Sequence, residues 1–93
     1  MSDVTRAEAD GMTRLSIQTV LRAMKIELPM ELVGDVRHAL LAADLHVSEI
    51  FSDAASMQPK RQKFFRVLRE HRGWTIGGIE GMLRVDLRGE GLR

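Results

Sequence analysis

Six lysine and arginine side chains fall within fourteen residues, from Pro59 to Arg72, and this stretch holds the residues best suited to binding chemistry. Cations at that density contact phosphates, read base edges in a DNA groove, or dock on an acidic protein face. On a helix, Lys63, Arg66 and Arg69 make one stripe at i, i+3 and i+6. Phe64, Val67, Leu68 and His71 cluster on the opposite side, with Phe65 at its edge. Arg61, Arg72 and Lys60 flank that apolar side, where their stems pack while their charges reach water. The plain alternative is a solvated face that keeps a small protein soluble. His71, on the apolar side, reads as a packed core histidine.

Residue types suited to catalysis are not arranged for it. His38, His46 and His71 lack the His-x-x-x-His spacing that sets two metal ligands on one helix face. No Gly-x-Ser-x-Gly elbow occurs, and the glycines from Gly73 to Gly81 lack the Lys-Ser/Thr of a phosphate-binding loop. The chain has no cysteine, which excludes disulfides and thiolate metal sites. The expectation is a protein that is not an enzyme and carries no metal or cofactor.

The positive charge has a counterpart. Residues 1–53 carry nine acids against five Lys/Arg, and residues 54–93 carry nine Lys/Arg against four acids. The net charge of +1 hides a −4 half joined to a +5 half. Residues 26–55 hold six acids and only Arg37, so a helix there would be repelled by a DNA backbone. Those acids are placed to pair with the basic helix internally, or to leave it free for an acidic partner.

Hydrophobic periodicity places these charges on helices. Ile17, Val20, Leu21, Met24 and Leu28 share one face of a helix capped by Thr13 and stopped by Pro29. Pro29 opens a second, over residues 30–43, with Leu32, Val33, Val36, Ala39, Leu40 and Ala43 inward and Glu31, Asp35 and His38 on another face. Gly34 interrupts it at a cost of about 1 kcal/mol relative to alanine. A third helix is expected over residues 46–55, capped through Ser48 and Glu49, and the basic helix over 59–72 with Gly73 as its C-cap. Thr75 caps a last helix burying Ile76, Ile79, Met82 and Leu83; alternatively the basic helix runs on to Ile76 and breaks at Gly77-Gly78. The fold expected is all-α, four or five helices in one domain. Residues 13–85 form it, with 1–12 a flexible N-terminus and 86–93 a flexible tail. Residues 30–43, 46–55 and 59–72 have the order of a helix-turn-helix.

Trp74, the single tryptophan, reads either as a core anchor or as an interface hot spot. Leu15, Ile26, Met30 and Leu41 fall off the main apolar faces. The first twelve residues hold no apolar run of a signal peptide, and no stretch has the roughly 18 apolar residues of a membrane helix. A cytoplasmic protein with no membrane contact is expected.

From about Gln58, the residues Pro59, Arg61, Arg66, Leu68 and Arg69, then Gly77-Gly78 and Met82-Leu83-Arg84, resemble a known family. It is a helix-turn-helix variant domain of proteobacterial integrative and conjugative elements, with a similar Pro-x-Arg start, Arg-bearing helix and Gly-Gly before a short Leu-Leu-Arg segment. Its small stand-alone versions include the QseM-type quorum-sensing antiactivators. The resemblance covers residues 31–85, and Ser52-Asp53-Ala54-Ala55 departs from it where the family tends to an apolar-Gly ending. It implies a regulator of conjugative transfer that binds a transcriptional activator and blocks it, a DNA-binding shape used for protein contact. The partner-binding residues expected are Arg61, Lys63, Arg66, Arg69, Arg72 and Trp74. The alternative is a transcription regulator using the basic helix to bind DNA.

Overall fold

Thr13 starts the first helix as expected. Its hydroxyl accepts from the Ser16 amide at 3.2 Å while Ser16 Oγ accepts from the Thr13 amide at 2.8 Å, a reciprocal cap that satisfies two otherwise orphaned donors. The computed structural model describes residues 12–90 and Leu92. Four α-helices follow in order, Arg14–Ala23 (α1), Met30–Ala43 (α2), Gln58–Glu70 (α3) and Ile76–Leu83 (α4). The described residues form no strand, and the fold is all-α. None of these helices is long and apolar enough to cross a membrane.

α1 stops six residues before Pro29, at Ala23, so the proline does not end it. Lys25 adopts a left-handed conformation with φ +65°. Its amide donates to Arg22 O and the Ile26 amide to Leu21 O, both at 2.9 Å, closing a Schellman turn. The reversal has a clear cause. Ile26 lies off the apolar face of a straight helix, and turning there puts both Ile26 and Leu28 in the core. The device recurs at the other helix ends. Asp44 has φ +50°, Gly73 φ +77° and Arg84 φ +56°. The residues that follow, Leu45, Trp74 and Val85, are all turned back onto the core.

Residues 46–55 do not form the expected α-helix. They give two 3-10 turns, Val47–Phe51 and Ala55–Met57, separated by extended backbone at Ser52 and Ala54. His46 supplies the first cap, its Nδ1 accepting from the Ser48 amide at 3.3 Å while Glu49 Oε1 accepts from the His46 amide at 2.8 Å. Ser52 Oγ then takes the Ala54 amide at 3.2 Å, a side-chain bond that competes with helix. Arg61 Nε donates to the Ile50 carbonyl at 2.8 Å and so ties the first 3-10 turn to the basic helix. The helix-turn-helix expected from the sequence thus lacks its middle α-helix.

α3 buries its two largest apolar side chains side by side. Phe64, Phe65 and Leu68 are fully excluded from solvent and Val67 nearly so. Phe65 was expected at the edge, but it is as buried as Phe64, against which its ring stands edge-on at 5.2 Å. His71, expected in the core, is exposed, because the helix has ended at Glu70 and residue 71 is its cap. α2 packs most extensively on α3, and α1 packs on α2 and the first 3-10 turn.

Residues 86–93 are not a trailing tail in their described part. Leu87 is fully buried and Leu92 is 6% exposed. The Leu87 amide donates to Glu80 Oε2 at 2.9 Å, and Glu90 is held by Arg61. At the other end Met12 is buried, its carbonyl accepting from Arg37 Nε at 3.1 Å. The flexible N-terminus expected over residues 1–12 otherwise lies outside the described residues.

The left-handed lysine makes a stability prediction. A non-glycine residue at φ +65° is strained by about 1 kcal/mol. Lys25→Gly, which removes that strain, should raise the unfolding free energy by about 0.5–1 kcal/mol in urea titration. A decrease would show that the lysine makes a compensating contact.

Candidate functional site

Asp35 brings together two of the six expected binding residues. On α2, its Oδ1 accepts from Arg72 Nε at 3.1 Å and its Oδ2 from Trp74 Nε1 at 3.0 Å. The turn after α3 makes this possible. The Trp74 amide donates to Leu68 O at 3.0 Å across left-handed Gly73, which swings residue 74 toward α2. Trp74 is half-buried and packs against the core.

Two concavities carry residues of this bridge. One is an apolar slot of about 200 Å³ lined by Leu32, Trp74, Thr75, Gly78 and Met82. Thr75 Oγ1 accepts from the Gly78 amide at 2.9 Å and so starts α4. A Cβ at position 78 would come within 3.0 Å of that oxygen, so the residue that keeps the cap also keeps the slot open. Met82, expected on the buried face of α4, is 45% exposed beside the slot. The second concavity is a polar crevice of about 300 Å³, lined by Arg14, Glu31, Gly34, Asp35, Arg37, His38, Leu41 and Arg72.

The other expected residues divide in two. Lys63 and Arg66 are exposed on α3, with no hydrogen bond or ion pair among the described residues. Arg69 is exposed, yet its Nη1 donates to the Leu92 carbonyl at 2.6 Å. Arg61 is turned inward: Nη1 meets Glu90 Oε2 at 2.8 Å and the guanidinium lies 5.4 Å from the Phe65 ring centre. Its charge was expected to reach water; the segment after α4 covers it instead. Arg61 therefore holds the fold together and does not present itself to a partner.

Among the described residues, two ion pairs join the acidic and basic halves, Asp44–Lys60 at 3.4 Å and Asp35–Arg72 at 3.1 Å. The first is open to solvent and contributes about 0–1 kcal/mol. The sequence reading missed the slot residues Leu32, Thr75 and Gly78 as a group, and Asp35 as the partner that holds Trp74 and Arg72. The one local signal was Gly34, a costly residue inside a strongly periodic helix. Among the described residues, no group of three or more His, Asp or Glu is placed to hold a metal ion. Compared with known proteins, the chain matches no family model, no curated protein and no solved structure.

Arg61→Ala should cost about 3 kcal/mol in chemical denaturation, because it leaves Glu90 buried, charged and unpaired. Replacing the pair together, Arg61→Met with Glu90→Leu, should cost much less. Equal losses for the single and double variants would remove the ion pair as the cause.

Proposed function

We propose that this is a small regulatory protein that binds a transcriptional activator and blocks it by protein contact. The observation that carries this reading is the Trp74 slot. An exposed tryptophan face is a common anchor for a partner, and here the indole N–H is already satisfied by Asp35, so a ligand meets only its apolar surface. Met82 beside it supplies an adaptable apolar side chain. The resemblance of Pro59 to Arg84 to the antiactivator family supports the choice of an activator as the partner.

Lys63 and Arg66, exposed and unpaired, serve on this reading to orient the complex. Charges of that kind add more to association rate than to final affinity. Met82→Asp should therefore weaken capture of a co-purified activator by roughly 100-fold, while Lys63→Glu with Arg66→Glu slows association severalfold. Full activator binding by the Met82→Asp variant would sink the proposal.

A DNA reading has one observation in its favour, the same two free cations on α3. Two phosphate contacts give log K a slope of about −2 against log salt. Duplex binding with a slope of −4 or steeper would mean that more of the helix engages DNA, and would favour a DNA-binding regulator over the protein-contact reading.

A further inference from the structure

Two locally unfavourable residue choices meet in the polar crevice. Arg14 is the first residue of α1, where the helix macrodipole disfavours a cation, and the first turn of α1 holds no acid. Gly34 lies inside α2, where almost any other residue is a better helix former. A Cβ at position 34 would stand 3.4 Å from Arg14 Nε and 3.6 Å from its Cζ, ordinary contact distances, so the guanidinium lies directly against α2 at this glycine. Arg14 makes no hydrogen bond or ion pair with any described residue. Choices that break local rules at one spot point to a use for that spot.

The charges around the crevice select the ligand. Arg37 has one N–H on the Met12 carbonyl and Arg72 one on Asp35, whose other oxygen is taken by Trp74. Glu31 also lines the wall. Three guanidinium groups against two carboxylates leave an excess of one positive charge among them. A phosphate dianion exceeds that charge. A single carboxylate matches it, and the planar fork of an arginine suits it.

We infer that the crevice is a subsite for one aspartate or glutamate side chain of the segment whose apolar residue fills the Trp74 slot. This rests on the slot being the partner site, as proposed above. The slot and the crevice adjoin through Asp35, which lines the crevice and holds both Arg72 of the crevice and Trp74 of the slot. Side chains one to two turns apart on a partner helix, about 5–11 Å, reach two such neighbouring sites. The recognised element is an amphipathic helix pairing a large apolar residue with an acid three to seven positions away.

Phage display of random twelve-residue peptides, panned on the full chain, tests this. Selected peptides should pair Leu, Phe, Met or Trp with Asp or Glu at that separation. Changing the acid to its amide should weaken binding roughly tenfold on the parent protein and hardly at all on Arg14→Gln. Arg14 is exposed and a poor residue for its position, so Arg14→Gln and Arg14→Glu should both fold, which circular dichroism checks. Peptides with an apolar anchor but no acidic preference overturn this inference and leave the slot standing. An acidic preference that persists on Arg14→Glu also overturns it. Selection of no peptide at all, or of peptides indifferent to Met82→Asp, overturns the slot reading and this one with it.

Discussion

The structure depends on burying two adjacent side chains of one helix. Phe64 and Phe65 are successive residues, about 100° apart around α3, and neither touches solvent. With Val67 and Leu68 buried as well, about 160° of the helix must be covered. One neighbouring helix covers less than that. α2 takes one flank, and Glu90, paired with Arg61 beside the Phe65 ring, brings the chain after α4 to the other. Arg61, Phe65 and Arg69, spaced four residues apart, lie along the line where it does so. Arg61 is tied to Glu90 and Arg69 to the Leu92 carbonyl.

That constraint sorts the cations of the basic helix. Those bordering the buried arc are drawn into internal bonds, Lys60 to Asp44 and Arg61 to Glu90. Arg72, just past the helix end, goes to Asp35. Only the side farthest from both Phe rings stays open, and it carries Lys63 and Arg66. A stretch that looks like one continuous basic surface is thus mostly internal wiring. The same internal bonding turns Trp74 into the wall of a slot, because Asp35 holds Arg72 and the indole together.

The amphipathic helices were legible because their signals are local. Thr13, Pro59 and Thr75 mark starts that the structure keeps, and the i, i+3, i+4 faces of α2 and α3 name most of the core. The segment 46–55 misled because Val47, Ile50, Phe51 and Ala54 repeat at a spacing that 3-10 turns also satisfy. Leu87 and Leu92 showed no periodicity, being single apolar residues among Arg, Gly and Glu, so nothing local announced their burial. The site was the least legible part. Asp35 and Trp74 are 39 positions apart, and nothing in either neighbourhood announces the other.

The left-handed helix ends have a kinetic meaning. Three of these turns close over only six residues, Leu21 to Ile26, Leu40 to Leu45 and Glu80 to Val85, each with its own hydrogen bond and a returning apolar residue. Loops that short close in well under a microsecond, so such clasps form before distant parts of the chain meet. They cut the chain early into short rods whose apolar sides already face inward. The slow event is then the enclosure of α3 by partners from both ends of the sequence, Met12 to Ala43 on one side and Leu87 to Leu92 on the other. The C-terminal segment of that enclosure is also the one whose loss would first let the protein breathe.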